Sequence, residues 1–352
     1  MRLLFVTQAL DREHPALAQT VDLVHSLAAR SEELVVLCAS VGAHEELPAN
    51  VRVREFGADT RLGRGARFAR VLASELRRPR ADAALVHMVP LFLVLAAPLA
   101  KPMGVRLALW YTHWASNRTL RLATRLADVV MSVDRRSFPL DSPKVLGIGH
   151  AIDVARFVPA TGGKGGGPLE LVALGRTARW KGYDTLLAGF RLALEQGLEA
   201  RLRIIGPSLT DDERRHRVEL ATSLPAAAEL LDPLPRADLP ELLRQSDALV
   251  SPAQSGETAT LDKAVYEAAA CGLPVVASNP ALGEFLGGLP LELSFEPRDA
   301  AGLADRLLAL DAAGSEQRAA IGAELRRRVV AGHSLESWAD TVVAALARGR
   351  QE

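Results

Sequence analysis

The chain has 352 residues, 49% of them hydrophobic, with 42 basic residues balanced by 42 acidic ones. This length suffices for two domains of ordinary size, and the apolar content excludes global disorder. The two cysteines, Cys38 and Cys271, lie in separate apolar segments without metal-ligand spacing, which argues against a disulfide scaffold and a zinc site and favours a reducing compartment.

Short apolar strands alternate with helices in the first half of the chain. The predicted strands cover 3–7, 34–39, 83–87, 107–111 and 129–133, and the predicted helices cover 16–30 and 64–78. Unbroken runs of Val, Leu and Ile suit strands buried on both faces, as in a parallel sheet covered by helices. The apolar run 88–100 contains two prolines and is shorter than the ~20 residues of a membrane helix, and the N-terminus lacks the features of a signal peptide.

A glycine-rich segment divides the chain. Residues 159–168 contain five glycines, which cannot pack a core or hold a helix. We interpret this segment as a linker between an N-terminal domain, 1–158, and a C-terminal domain, 169–333. Residues 334–352 are predicted to form a C-terminal helix that can cross back to the first domain.

The alternation of strand and helix restarts after the linker. Strands are predicted at 169–175, 202–206, 248–251 and 275–277, and helices at 183–195, 211–221, 239–245, 261–271 and within 299–347. The fold class is therefore α/β, with two doubly wound Rossmann-like domains facing across a cleft. Neither half has Gly-x-Gly-x-x-Gly after its first strand, which disfavours an NAD-type dehydrogenase. The charged runs 211–217 and 326–328 are interpreted as solvated helix surface.

Two stretches of the second half carry candidate chemistry. Gly175 ends a strand and allows close backbone approach, and Arg176 and Lys181 flank the following loop, where two cations can clamp a diphosphate or simply be solvated. A small, polar loop then leads to a helix start near Thr260 and Leu261, which is an anion site by its free N–H groups and dipole. The carboxylate of Glu267, among alanines in that helix, needs partners: a ribose diol, an arginine or backbone groups.

Together these stretches resemble the C-terminal domain of the retaining GT-B glycosyltransferases of family four, the group 1 glycosyl transferases. The resemblance covers about 169–310, and several weak motifs occur in the family's order: Gly175-Arg176 with Lys181-Gly182, Ile204-Ile205-Gly206-Pro207, Ser246-Asp247 before Ser251-Pro252, and Glu267-Ala268-Ala269-Ala270-Cys271-Gly272-Leu273-Pro274. The first half resembles the family more loosely, through Trp110-Tyr111-Thr112-His113 and Gly149-His150-Ala151-Ile152-Asp153.

The resemblance implies a retaining, metal-independent, hexosyl-type transferase that uses a nucleoside diphosphate sugar and no cofactor. Its acceptor would be a glycan, a lipid-linked molecule or a small molecule. The resemblance makes 1–158 the acceptor-side domain and 169–333 the nucleotide-sugar-binding domain. The implied catalytic residues are His113, Arg176 and Lys181. The implied donor-binding residues are Gly175, Arg176, Lys181, Glu257, Thr260, Leu261, Lys263 and Glu267. On the acceptor side we place Asp11, His14, His87 and His150, although each histidine can equally be a satisfied structural residue.

One position departs from the family pattern. The family commonly has a second Glu eight residues before the ribose Glu, and this chain has Ala259 there, with Glu257 nearby and Asp262-Lys263 following. Three function classes therefore stay open: a transferase, a GT-B-fold nucleotide-sugar-binding protein without turnover, and a nucleotide-sugar epimerase or hydrolase.

A basic segment of the first half suggests a partner. Arginines interleave with apolar residues in the order Arg61, Arg64, Arg67, Arg70, Arg77, Arg78 and Arg80. This pattern suits either an anionic membrane or lipid-linked acceptor, or an ordinary solvated helix face. We expect a cytoplasmic protein, with peripheral contact at the inner membrane face under the first alternative. The basic residues lack the interleaved aromatics typical of nucleic-acid binding.

Overall fold

The structure, a computed structural model, describes residues 1–14, 17–78, 81–113, 115–161, 167–253 and 262–347. Contacts divide them into two units. The first comprises Met1–Ala151 with the segment from Ser334, and the second comprises Ile152–His333. Each unit contains one parallel sheet and the helices that connect its strands. The prediction of two doubly wound α/β sheets is confirmed.

The first unit is built on a seven-stranded parallel sheet in the order β3-β2-β1-β4-β5-β6-β7. Its strands are β1 Arg2–Leu10, β2 Glu33–Val41, β3 Val51–Glu55, β4 Ala83–His87, β5 Arg106–Trp110, β6 Val129–Ser132 and β7 Val145–Gly147. Its helices are α1 Thr20–Ala28, α2 Arg61–Leu76, α3 Pro90–Ala100, α4 Arg118–Leu126 and α12 Leu335–Ala347.

Separate apolar clusters cover the two faces of this sheet. On one face α2, α3 and α4 contribute Phe68, Phe92 and Leu120. On the other face lie α1 and α12, where the fully buried Trp338 packs on Trp110 with ring centroids 4.8 Å apart. The five inner strands, β2, β1, β4, β5 and β6, are therefore largely buried on both sides, which explains why their sequences are mostly continuous apolar runs.

The second unit has a five-stranded parallel sheet in the order β10-β9-β8-β11-β12. Its strands are β8 Leu169–Leu174, β9 Ala200–Ile205, β10 Ala228–Leu231, β11 Ala248–Ser251 and β12 Val275–Ala277. Its helices are α5 Tyr183–Glu195, α6 Asp211–Thr222, α7 Leu239–Gln245, α8 Lys263–Ala270, α9 Gly283–Leu286, α10 Ala300–Ala312 and α11 Gly314–Gly332. The strand order reverses at β8, and ligands of such sheets bind outside the carboxyl ends of the strands at this reversal.

Several short elements were not predicted from the sequence. β3, β7 and β10 have only five, three and four residues. The apolar run 88–100 is largely the helix α3, which starts at Pro90. Asn117 precedes α4 as its N-cap, and its side chain accepts a hydrogen bond from the Leu120 N–H at 2.8 Å. Proline suits the first turn of a helix and asparagine its N-cap, so both starts follow local rules.

The expectation that both charged runs are solvated surface is wrong in part. In the first run Glu213 and His216 are buried, with relative exposures of 4% and 0%. In the second run Arg326 donates to the backbone oxygens of Phe157, Ala270 and Val154. The helical period explains the error, because every third or fourth residue of a polar helix still faces its neighbours.

No helix among the described residues combines the length and the apolar character that crossing a bilayer requires.

Candidate functional site

The loops after β8 and β9 touch each other at the carboxyl edge of the second sheet. The Gly175 N–H donates to the Ile205 carbonyl at 3.0 Å, and Gly175 has a φ of +140°. A Cβ added to Gly206 would lie 1.9 Å from the Gly175 oxygen. Only glycine permits this approach, which leaves the backbone of the β8 loop open to a ligand.

Lys181 lies directly against this glycine turn. It ends a short 3₁₀ turn that begins at Arg179, and its side chain is 8% exposed. A Cβ on Gly175 would come within 2.6 Å of the Lys181 Cε atom and within 2.7 Å of Nζ. The ammonium forms an ion pair with Asp262, the residue that precedes α8. A buried ammonium group needs such an anionic partner, which an anionic ligand can also supply.

Arg176 is held by a carboxylate of α6. Its guanidinium pairs with Glu213, with Nε 3.3 Å from Oε2, and its side chain remains 40% exposed. Glu213 also accepts a hydrogen bond from the Leu209 N–H at 2.6 Å. The arginine is therefore anchored on one side and accessible on the other, as a group that receives a ligand must be.

A buried histidine fastens the loop between the two cations. The His216 Nδ1 atom lies 2.8 Å from the Thr177 carbonyl, and Nε2 lies 3.0 Å from the Asp184 carboxylate. Thr177 is fully buried, and its hydroxyl lies 2.6 Å from that of Ser208. Sequence reasoning missed His216 because a single histidine in a charged helix carries no motif.

Glu267 lies on α8 with 5% of its side chain exposed. Its Oε1 atom accepts a hydrogen bond from the Arg236 guanidinium at 2.9 Å and lies 3.5 Å from the Lys263 ammonium. Arg236, which follows β10, has its guanidinium carbon 5.8 Å from the Phe157 ring centre. Of the partners considered from the sequence, an arginine is therefore the one that is present. Arg236 itself was missed, because it stands alone in a loop without a recognisable spacing.

These groups share one edge of one sheet. Gly175 and Arg176 follow β8, Arg236 follows β10, and Asp262 and Lys263 introduce α8 after β11. The Asp262–Lys263 pair connects the environments of Lys181 and Glu267, whereas Arg176 is bound on the α6 side. Three predicted residues, Glu257, Thr260 and Leu261, together with Ala259, lie outside the described residues.

The histidines and Asp11 predicted for the acceptor side lie in the first unit. His87, at the end of β4, is buried between the rings of Phe5 and Trp110, with centroid distances of 5.9 and 4.6 Å. Burial lowers its pKa to about 3, helped by the charge of His113. His87 is thus a neutral residue at physiological pH, and its Nδ1 atom lies 3.2 Å from the Thr7 hydroxyl.

His113, implied as a catalytic residue, and the remaining acceptor-side candidates are more accessible. His113 follows β5 as an exposed residue, and its ring stands 5.9 Å from the Tyr111 ring; partial desolvation by neighbouring atoms lowers its pKa. Asp11 accepts a hydrogen bond from the Glu13 N–H, and the His14 Nδ1 atom accepts one from the Leu17 N–H, each at 3.0 Å. His150 is half-buried after β7. Asp11, His14, His113 and His150 follow carboxyl ends of strands in the first sheet, and His87 is the last residue of its strand.

A cavity of about 770 Å³ opens at the amino ends of β8 and β9. Glu170, Arg203 and Gln245 are among the residues that line it, and none of the motif residues does. Since ligands of doubly wound sheets bind at the carboxyl ends, we place the site at the opposite edge from this cavity.

Comparison with known proteins finds a family match within the second unit. Residues 168–312 match the family model described as glycosyl transferases group 1. Over 183 residues the chain is 26% identical to WcaL of Escherichia coli K12, a protein assigned as a glycosyltransferase of colanic acid biosynthesis. That match covers 51% of this chain and 45% of WcaL, so it extends over less than half of the curated relative.

Solved structures share the whole fold. HepE of Anabaena, solved in complex with UDP, covers 99% of this chain and 100% of its own at a TM-score of 0.77 and 18% identity. Another structure of HepE contains UDP-glucose. A sucrose-phosphate synthase from Thermosynechococcus elongatus aligns over 99% of both chains with a TM-score of 0.73 and 16% identity. At these identities the likeness establishes the fold.

Proposed function

We propose that this chain, which belongs to the group 1 glycosyl transferases and has the GT-B fold, transfers a hexose from a nucleoside diphosphate sugar to an acceptor with retention of configuration. The second unit would bind the donor and the first unit the acceptor, which would be a glycan, a lipid-linked molecule or a small molecule.

The observation that carries the proposal is the cation arrangement at the carboxyl edge of β8. Arg176 and Lys181 lie five residues apart on one loop, and Lys181 packs against a glycine turn that has no room for a side chain. Both cations have protein carboxylates as partners, Glu213 and Asp262. A diphosphate offers the same oxygen chemistry with more charge, so it can share or replace these partners.

In the proposed reaction the two cations stabilise the departing nucleoside diphosphate. When the glycosidic bond of a nucleoside diphosphate sugar breaks, negative charge develops on the diphosphate oxygen. A guanidinium and an ammonium that are already held in place stabilise that charge without reorganisation, which is the usual source of the largest catalytic contribution. The low exposure of Lys181 strengthens the interaction, because less water screens it.

The ribose would be recognised by Glu267. Its carboxylate is fixed through Oε1 by Arg236 and Lys263, so its orientation is set before a ligand arrives. Two ribose hydroxyls are donors that suit a carboxylate oxygen. The HepE complexes with UDP and UDP-glucose suggest a uracil nucleotide and a glucose-type sugar as the first donor to test.

The first experiment is a thermal-unfolding screen of the protein with UDP, GDP, TDP and ADP sugars. A donor present at ~100 times its Kd adds about 2.7 kcal/mol to the free energy of unfolding. The matched variant is Glu267→Gln, which should unfold at a lower temperature because it removes the carboxylate that pairs with Arg236 and Lys263, and should show no further shift when donor is added. Absence of a shift with every donor would contradict the proposal.

A second candidate function is favoured by Ala259, which stands where the family usually has a sugar-contacting Glu. A protein that binds the donor without turning it over would show the thermal shift but release no nucleoside diphosphate. A transferase is expected to release some even without acceptor. Analysis of the sugar product separates a transferase from a nucleotide-sugar epimerase, whose product stays attached to the nucleotide.

A further inference from the structure

We propose that the outer face of α2, α3 and α4 in the first unit docks onto the surface of an anionic lipid bilayer. The three helices lie side by side on one face of the seven-stranded sheet, with α3 in contact with both neighbours. This surface, called here the arginine face, belongs to one unit, and the inference is independent of donor binding.

The charge of this part of the chain is strongly one-sided. Between Thr60 and Ala127 the sequence contains twelve Lys and Arg residues and two acidic residues, Glu75 and Asp82. Glu75 is fully buried and pairs with Arg2, and Asp82 accepts the backbone N–H of Arg2 near the start of β4. Neither carboxylate therefore neutralises the exposed arginines of α2 and α4.

The exposed cations project from the two outer helices. On α2 they are Arg61, Arg64, Arg67 and Arg70, and on α4 they are Arg118, Arg121 and Arg125. Arg64 and Arg67 also reach backbone carbonyls at Ala58 and Gly57, while both side chains remain exposed. Two acids flank these helices in sequence: Asp59 precedes α2, and Asp128 follows α4 and pairs with Lys101.

The central helix supplies an apolar strip between these cations. α3 has no charged residue, although a helix that is apolar all round normally lies wholly inside a protein. Phe92, Leu93 and Ala96 of α3 face the core. Leu91, which is 50% exposed, and Pro98 lie on the exposed surface of the helix. Leu62 of α2 and Leu122 of α4 extend the strip at 89% and 45% exposure.

Arginines flanking exposed leucines fit the interface of an anionic bilayer, where cations meet phosphate headgroups and leucines reach the acyl boundary. The described part of the face has no exposed aromatic side chain for stacking on bases, which disfavours single-stranded nucleic acid. A second copy of this face would bring like charges together. We therefore assign the face to lipid.

The experiment is co-sedimentation of the full-length protein, without donor, with vesicles that mix phosphatidylglycerol and phosphatidylcholine. We expect the protein to bind the mixed vesicles and to bind pure phosphatidylcholine vesicles only weakly. Binding to the mixed vesicles should fall with added salt, because salt screens the charges. Equal binding to both vesicle types, or none to either, would overturn the proposal. Binding to heparin or RNA with none to the vesicles would overturn it in favour of a dissolved polyanion.

Matched variants locate the surface. Replacing Arg118, Arg121 and Arg125 by Gln removes three charges and should weaken vesicle binding by ~10²-fold, at roughly fivefold for each arginine near the membrane. The control removes three exposed charges of the second unit through Arg201→Gln, Arg214→Gln and Arg215→Gln, and should bind as the wild type does. Equal loss in both triple variants would contradict the assignment to the arginine face.

A double variant tests the apolar strip. Leu91→Gln with Leu122→Gln keeps every charge and is expected to weaken binding about tenfold, because two partly inserted leucines lose their apolar contact. Unchanged binding of this variant would refute insertion of the strip. All variants alter exposed side chains, and their thermal unfolding should match that of the wild type.

Discussion

Substitution of Lys181 by methionine tests the proposed chemistry most directly. Methionine keeps most of the aliphatic length and removes only the charge. Two unit charges at about 4 Å interact with ~4 kcal/mol at an effective dielectric constant of about 20, a suitable value for a side chain that is 8% exposed. Part of this interaction already exists with the bound donor, so only the charge that develops on bond cleavage contributes to the rate.

We therefore expect Lys181→Met to lower the turnover number by ~10²-fold, the effect of losing one preorganised donor to a developing anion. The assay follows release of nucleoside diphosphate from UDP-glucose, with thermal unfolding as the check on folding. Arg179→Met is the matched control. Arg179 begins the same short turn, is 52% exposed and pairs with Glu219, and its loss should leave the rate unchanged. Similar rates for the two variants would refute the role of Lys181.

Three further predictions follow from the same contacts. Gly175→Ala should lower turnover, since its Cβ would displace Lys181, whereas Gly197→Ala, with a φ of +96° and open space around it, should lower only the thermal stability. Activity in Gly175→Ala equal to that in Gly197→Ala would contradict the first expectation. His216→Asn should lower the free energy of unfolding, measured with urea, by ~1–3 kcal/mol. It should also reduce turnover, because it releases the loop that carries Arg176 and Lys181. An unchanged urea midpoint would contradict this role of His216. In the folded protein the pKa of His87 is about 3, below its ordinary value of 6.5. As the pH falls, the unfolded chain therefore binds a proton at this histidine before the folded protein does. The free energy of unfolding should decrease by ~1.4 kcal/mol for each pH unit between about 6.5 and 3. Urea unfolding at several pH values should show a shallower acid loss in His87→Gln, and parallel pH profiles would disprove the assignment.

Local rules were sufficient for much of the second unit. Strands β11 and β12 are short runs without charge, and β8 and β9 are apolar apart from Glu170, Arg201 and Arg203; this pattern predicts buried parallel strands. Glycine at 175 marks a turn with positive φ, and the cations that follow it lie at a strand end, so the edge that holds them is predictable. Strands β3, β7 and β10 escaped prediction because they lie at the edges of their sheets and are only partly buried, so their sequences show no long apolar run.

The sequence by itself determined the fold class, the separate arrays of strands, and the identity of the loop that carries Arg176 and Lys181, since these depend on residues that are neighbours along the chain. Only the tertiary structure decided which carboxylates hold these cations, because Glu213 and Asp262 lie 37 and 81 residues further on. The same holds for Arg236 beside Glu267 and for the burial of His216. Such pairings arise from the order of strands in the sheet, which local sequence patterns do not encode.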